Sequence, residues 1–170
     1  MQKKAEKQDH GFGPVYDAAS TILILGSFPS VKSREQKFYY GHPQNRFWKV
    51  LAAILKEPVP ETIPEKKKMV LQHHIALWDV LESCEIEGSS DASIRKEIPT
   101  DIRKILTACP IKRIITNGNT AKKNYDRFLF PDTGMEAVCL PSTSPANAAW
   151  TLDKLTEKWS VEIKNGIDII

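Results

Sequence analysis

The chain has 170 residues, 41% of them hydrophobic, with 24 basic against 21 acidic side chains and a net charge of +3. That length is ample for one domain with a buried core, and no run of about 18 apolar residues is present to span a membrane. Three widely separated cysteines (Cys84, Cys109, Cys139) and four histidines, two of them adjacent (His73, His74), form neither a CxxC pair nor a zinc pattern, so no metal or other cofactor is expected.

Residues 1–12 are expected to form a flexible polar tail. This stretch lacks the apolar segment of a secretory signal, so the chain is expected to be cytoplasmic. Residues 13–170 are expected to form a single domain. Within it, Thr21-Ile22-Leu23-Ile24-Leu25 is a continuous apolar run closed by Gly26, the pattern of a strand buried on both faces. The next loop is rich in rings: Phe28 in Gly26-Ser27-Phe28-Pro29-Ser30, then Phe38, Tyr39, Tyr40, Phe47 and Trp48 around Gly41-His42-Pro43-Gln44-Asn45-Arg46. Loops are mostly polar, so these rings either pack inward or show a flat face to a flat ligand. Phe47 and Trp48 head an amphipathic helix through Leu55 and are expected inside, whereas Tyr40, beside the Gly-His-Pro bend, is placed for a pocket wall. Asn45 precedes that helix and is open to two readings, N-cap or site residue.

Pro58, Pro60 and Pro64 stiffen the following loop. Glu65 to His74 reads as a helix, Ile75 to Leu81 as a second strand closing on Asp79, and Ser83 to Ser93 as a polar excursion at the sheet edge. Thr100 or Asp101 is expected to cap a helix from Ile102 to Ala108 that Pro110 ends. Arg113-Ile114-Ile115-Thr116 is a third strand broken by Asn117-Gly118, Thr120 to Phe128 a helix, and Glu136 to Leu140 the fourth strand. The loop Pro141-Ser142-Thr143-Ser144-Pro145-Ala146-Asn147 then leads to a last helix spanning Ala149 to Ile163.

Four short strands alternating with helices predict an α/β fold, three layers (α/β/α) around a four-stranded, mostly parallel sheet. Ligands bind such sheets outside the carboxyl ends of the strands, where this sequence sets Ser27-Phe28-Pro29, Trp78-Asp79, Asn117-Gly118 and Ser142 to Pro145. The loops hold no G-x-S-x-G elbow, no phosphate-binding G-x-x-x-x-G-K-S/T and no G-x-G-x-x-G. They do offer rings, the amides of Asn45, Asn117 and Asn147, the hydroxyls of Ser142, Thr143 and Ser144, His42, and the Asp79 carboxylate. That set suits a planar heterocycle read by stacking and edge hydrogen bonds, with phosphates held by serines.

Taken together, Gly26 to Ser30, the run Tyr40-Gly41-His42-Pro43-Gln44-Asn45-Arg46-Phe47-Trp48-Lys49-Val50 and the loop Leu140 to Asn147 resemble the uracil-DNA glycosylase superfamily. The middle run looks like the His-Pro-x-Asn-Arg-Phe-Trp segment of the mismatch-specific uracil/thymine glycosylases. With Ala76 to Leu81 and the Ser-Pro-Ala-Asn ending it is closer to the hypoxanthine-DNA glycosylase (deoxyinosine glycosylase) branch. The resemblance implies a metal-free DNA glycosylase that hydrolyses the N-glycosidic bond of a deaminated base flipped out of DNA, with hypoxanthine, xanthine and uracil as candidate bases. Its expected partner is DNA carrying such a base, with no membrane attachment, and the chain is expected to be a monomer.

The resemblance also assigns positions. Tyr40 falls where an aromatic stacks on the base, and Ser142, Thr143, Ser144, Pro145, Ala146 and Asn147 fall where a loop grips phosphates and wedges into the duplex. Ser30 is a further expected DNA contact. Phe28 stands where the mismatch-specific enzymes have an asparagine and other branches an aspartate, so the usual first-motif catalyst is absent and Phe28 is expected only to line the base site. In the hypoxanthine branch the important amide lies in the second segment, here Asn45. An amide cannot deprotonate water, so Asn45 is expected to orient it. His42 either polarises the base or holds its loop, Asp79 either supports the pocket or caps the next segment, and Asn117 either touches the base or serves as a turn residue. A mismatch-specific uracil glycosylase and a catalytically weak nucleic-acid binder of the same fold stand as alternatives, the latter on the strength of Phe28. A flavodoxin-like small-molecule protein fits the strand-helix alternation but lacks a phosphate loop.

Overall fold

The computed structural model describes residues 6–86 and 95–166. In chain order the first elements are β1 (Glu6–Asp9), β2 (Ile22–Gly26), α1 (Val31–Gln36), α2 (Phe47–Leu55), α3 (Ile63–Gln72) and β3 (Ile75–Asp79). Then come β4 (Leu81–Ile86), β5 (Arg95–Pro99), α4 (Arg103–Ala108), β6 (Arg113–Asn117) and α5 (Asn119–Asn124). A π-helical turn (Tyr125–Leu129) leads into α6 (Phe130–Thr133), β7 (Ala137–Leu140) and α7 (Leu152–Gly166).

The central sheet has the order β3-β2-β6-β7 and is parallel throughout. Every residue of β2 and β3 is buried, because a strand covered on both faces needs apolar side chains at every position rather than at alternate ones. The fold is thus the layered α/β arrangement that the strand-helix alternation predicts. Helix α2 buries Phe47, Trp48, Val50, Leu51, Ala52 and Ile54, and stops where Lys56 adopts a left-handed conformation (φ 57°) and its N–H closes on Ala52. Helix α7 packs against α2 and buries Leu155, Trp159 and Ile163. Trp159 sits edge-on to Phe47, with ring centroids 6.1 Å apart, and its indole N–H donates to the Pro141 carbonyl at 2.9 Å. One tryptophan therefore fixes both the helix pair and the root of the loop that follows β7.

Several expectations are corrected. The predicted tail is not a tail from residue 6 onward: β1 pairs antiparallel with β4, Glu6 facing Ile86 and Asp9 facing Ser83. Its side chains are almost wholly polar and mostly exposed, so no hydrophobic alternation announces it, and backbone hydrogen bonds set its register. Beyond it His10 is buried, and Val15 exchanges two 2.9 Å backbone hydrogen bonds with Leu77, covering the β3 edge of the main sheet. The second strand also divides. Ile75–Asp79 stays in the parallel sheet, while β4 joins β1 and β5 in a separate antiparallel sheet of order β1-β4-β5. The predicted polar excursion is thus partly strand, and its residues 87–93 lie outside the described set.

Helix α3 starts two residues before the expected Glu65 because Thr62 and Glu65 form a reciprocal capping box. Neither Thr100 nor Asp101 caps α4 by its side chain; the Thr100 hydroxyl instead donates to the backbone carbonyls of Asp79 and Val80, at 2.9 and 3.1 Å. The predicted Thr120–Phe128 helix is α5 running into the π-helical turn, a register shift of the kind found at functional sites. At that junction the Asn124 amide donates to the Ser27 hydroxyl at 3.2 Å. Helix α1, which the sequence analysis passes over, is capped by Ser30.

Replacing Trp159 by alanine should remove both its packing and the Pro141 anchor. The expected loss is about 3–5 kcal/mol of stability, read as a lower urea midpoint at unchanged slope, with Trp159→Phe losing less.

Candidate functional site

The carboxyl ends of the parallel strands deliver Ser27 and Phe28 after β2, Asp79 at the end of β3, Asn117 and Gly118 at the end of β6, and Pro141 to Ser144 after β7, all to one cavity of 860 Å³. That volume lies in the range of small-ligand sites. Tyr40 and Asn45 line the same cavity, as do Ser30, Ala146 and Asn147. The tyrosine of the second segment and the serine-threonine-serine turn near the end of the chain therefore share one crevice. Two glycines permit the close approach. A Cβ on Gly26 would lie 2.3 Å from Asp79 Oδ1, and Gly118, at φ +97°, would bring one within 3.0 Å of the Ser142 Cβ.

Arg46 ties the two halves together. Its guanidinium donates to the carbonyls of Ser144 at 2.8 Å, Asn147 at 3.1 Å and Thr143 at 3.4 Å, and also to that of Trp150, while its backbone N–H donates to Thr143 at 3.1 Å. Thr143 is buried between two amides. Its hydroxyl donates to Asn45 Oδ1 at 2.8 Å and accepts from Asn117 Nδ2 at 3.0 Å, and its backbone N–H donates to Asn117 Oδ1 at 3.0 Å. Thr143 is thus an internal strut, buried between the two amides where it borders the cavity.

The N-cap position of α2 is Arg46, and Asn45 stands one residue before it. Its Oδ1 also accepts the backbone N–H of Phe47 at 2.9 Å, a cap-like bond at the head of α2, and the residue lines the cavity. Asn117 is more than a turn residue, since both ends of its amide are spent on Thr143. Asp79 does not cap the next segment by its side chain; its Oδ2 meets His10 Nε2 at 2.7 Å.

His42 stands apart from these residues. It does not line the cavity, and its Nδ1 accepts the Gln44 backbone N–H at 3.1 Å, the loop-holding alternative. Pro145 also lies off the cavity, exposed at the loop tip with Ala146. Ser142 and Ser144 accept backbone N–H groups of Ser144 and Ala146, at 3.1 and 3.2 Å, and Asn147 Nδ2 donates to the Ser142 carbonyl at 3.0 Å, so the loop is self-braced. Ser30 caps α1 by accepting from the Ser33 N–H at 3.1 Å, and the Ser33 hydroxyl accepts from Gly41 N–H at 3.0 Å. That link pins the bend where Tyr40 takes a left-handed backbone (φ 53°), unusual for a bulky side chain and held only where surroundings over-determine it. The Tyr40 ring stacks on Phe47 at 4.0 Å.

Three functional residues escape the sequence reading. Arg34, from α1, lines the cavity, lies 5.4 Å over the Phe28 ring, and donates to Gln8 at 2.7 Å while its Nε is buried without a partner. Arg46 was legible only as part of a motif. His10 lies in the supposed tail; the one available signal is the apolar Phe12 and Val15 just beyond it, too hydrophobic for a solvated terminus. His10 Nδ1 meets the Phe12 carbonyl at 2.5 Å while Nε2 meets the Asp79 carboxylate. The Phe12 carbonyl can only accept, which puts a proton on Nδ1, and the Asp79 carboxylate favours a second proton on Nε2. Burial alone would push His10 below its ordinary value of 6.5, but the hydrogen bond and charge of Asp79, the Phe12 carbonyl and Glu82 outweigh it, and the net direction is upward. Among the described residues no three His, Cys, Asp or Glu side chains converge where a metal could sit, and no helix is long and apolar enough to cross a membrane.

A parallel α/β domain with a deep crevice at its strand ends, walled by aromatics, amides and a hydroxyl-rich loop, is the frame of a base-excising nucleic-acid enzyme class. Residues 14–164 match the uracil DNA glycosylase superfamily, and the chain belongs to that family. It is 35% identical over 148 residues to a hypoxanthine DNA glycosylase of Methanosarcina acetivorans, covering 86% of this chain and 93% of that protein. A hypoxanthine DNA glycosylase of Methanosarcina barkeri is 34% identical over 139 residues, 81% of this chain and 87% of that one. A solution NMR structure of a candidate uracil DNA glycosylase from Methanosarcina acetivorans superposes with a TM-score of 0.80 at 32% identity, over 95% of this chain and 99% of that one.

Two outcomes are expected. Arg46→Lys loses the fork that serves four carbonyls and should lower stability by about 2–3 kcal/mol, with loss of loop order seen as faster amide exchange over residues 143–150. The His10–Asp79 pair contributes stability that is full below the unfolded value of 6.5 and lost as pH rises through the raised folded value. The urea midpoint should therefore fall on going from acidic to alkaline buffer, and His10→Gln should flatten that fall.

Proposed function

We propose that this chain is a monofunctional DNA glycosylase that hydrolyses the N-glycosidic bond of a deaminated base extruded from DNA, with hypoxanthine as its preferred base. The observation that carries this reading is the convergence of Tyr40, Asn45 and the Ser142–Asn147 loop on one cavity large enough for a purine nucleotide, in a family whose relatives include proteins named hypoxanthine DNA glycosylases. Phe28 supports the purine preference. A phenyl ring offers apolar surface but no hydrogen bond to a pyrimidine edge.

In the reaction the bond between C1′ and the base nitrogen breaks with its electron pair going to the base, leaving an oxocarbenium-like sugar. Water adds to C1′ and gives up a proton, the base gains one, and the products are free base and an abasic site. Asn45 orients the water: its carbonyl is held by Thr143 and Phe47, which fixes the amide plane and leaves its NH₂ directed by that frame. Ser30, Ser142, Ser144 and Asn147 lie at the cavity rim for phosphates, with Arg34 as the nearby cation, and Pro145 and Ala146 at the exposed tip fill the gap left in the duplex. The enzyme acts on its DNA as a monomer in the cytoplasm and holds no cofactor.

Single-turnover incubation with inosine-, xanthine- and uracil-containing duplexes, followed by alkaline cleavage at abasic sites, tests this. Hypoxanthine should be released fastest, and no release from any of the three would leave only a nucleic-acid binder. Asn45→Ala should slow release about 100-fold and cost about 1 kcal/mol as the cap is lost; unchanged turnover with a lower melting temperature would reduce Asn45 to a cap.

A further inference from the structure

We propose that Asp79 and Tyr40 read the Watson–Crick edge of the extruded base, with His10 as the positioning residue for Asp79, and that the pair selects a ring N–H next to a carbonyl. This deepens the glycosylase reading and rests on it. Deamination of adenine or cytosine creates that lactam edge from an amidine edge, so recognising it distinguishes hypoxanthine from adenine and uracil from cytosine.

Two polar atoms at the cavity wall keep hydrogen-bonding capacity that the protein does not use. Asp79 Oδ2 is engaged by His10, while Oδ1 lies against Gly26 on a side chain only 5% exposed. The Tyr40 hydroxyl is buried without a well-formed hydrogen bond: the Asn117 side chain lies beside it as a donor, with both ends of its amide already engaged by Thr143, so the phenol proton has no acceptor. Both converge over Gly26: the position of a Cβ there is 2.3 Å from Asp79 Oδ1 and 3.4 Å from the Tyr40 oxygen. Both residues line the cavity. Buried polar groups are nearly always paired, so an acceptor and a hydroxyl left side by side at a cavity wall await a ligand that pairs them.

Their chemistry says which. Burial, and after it the Asp79 charge, hold the Tyr40 phenol well above its ordinary value, so it stays protonated and can donate. One face of its ring is taken by Phe47, which leaves the hydroxyl as its polar contact with a base. A carboxylate accepts the N1–H of hypoxanthine while the phenol donates to O6. Adenine meets the same carboxylate with a lone pair on N1, which it repels. Xanthine, uracil and thymine carry the same lactam edge, so this pair sorts hypoxanthine from adenine and leaves ring size to the rest of the cavity. Guanine shares the edge too, and its rejection falls to whatever wall faces its 2-amino group.

His10 makes the arrangement workable. Bonded at both nitrogens to acceptors, it fixes the Asp79 rotamer with Oδ1 over Gly26. Its charge offsets that of Asp79, so the wall facing a base that departs with the bond electrons is not net negative. Strand β1 delivers His10 there through its pairing with β4.

Binding to duplexes with a 2′-fluoro substituent, which resists glycosidic cleavage, isolates recognition from chemistry. The probes are hypoxanthine and unsubstituted purine, which has a lone pair at N1 and no O6. The full chain should bind the hypoxanthine duplex at least about tenfold tighter than the purine duplex. Asp79→Asn, whose amide can donate to N1, should bring the ratio near one; Tyr40→Phe should lower it severalfold, and His10→Gln, which keeps a hydrogen bond without the charge, in part. Equal affinities in the unaltered protein overturn the proposal, as does a ratio that survives Asp79→Asn. If that variant does not fold, an unchanged ratio in Tyr40→Phe decides the same way. Because binding needs no cleavage, failure to release hypoxanthine from ordinary inosine DNA counts against the glycosylase reading alone.

Discussion

The Arg46 guanidinium is the interaction on which the site depends. Four carbonyl oxygens, from Thr143, Ser144, Asn147 and Trp150, turn toward this one side chain. Carbonyl dipoles pointing at a common centre repel each other unless a cation sits among them, and a planar fork of five donors satisfies several at once. The loop after β7 therefore has its shape because an arginine from a segment about a hundred residues earlier fills its concave side. Thr143 then hands the constraint on to Asn45 and Asn117. Two distant stretches become one wall through hydrogen bonds to backbone, and the sheet supplies only the platform.

That division of labour explains what was legible in the sequence. Strands β2, β3, β6 and β7 show themselves because burial on two faces requires unbroken apolar runs, and the crevice follows from their shared direction. Tyr40, Asn45, Asn117 and the Ser142–Asn147 loop could be singled out because polar and aromatic residues clustered where such a sheet binds ligands. Their individual roles could not. Thr143 and Ser142 look alike in the sequence and both border the crevice, yet one is buried and the other partly exposed, a difference set by which hydroxyl Asn45 and Asn117 capture. His42 lies off the crevice and accepts a hydrogen bond from Gln44 in its own loop.

Strands β1 and β5 escape notice for the opposite reason. An edge strand of charged residues stabilises through main-chain pairing, which carries no side-chain signature. A polar run reads as a mobile tail, and that reading hides His10 and the Gln8 contact to Arg34. The Tyr40 backbone is a related case: nothing in the residue type announces a left-handed conformation, and only the Ser33–Gly41 bond and the Phe47 stack explain why the strain persists.

Strand β1 has one more consequence. It is four residues long, mostly exposed, and joined to the rest by its pairing with β4 and the contacts of Gln8 and His10. Short exposed edges open at far lower free energy than a buried core does. Peeling this ribbon away would strip the crevice floor of its imidazolium while leaving the parallel sheet whole, so a cut between residues 10 and 12, or a bulky fusion pressed against the start of the chain, would yield a protein that looks folded by circular dichroism yet has lost the grip on its carboxylate.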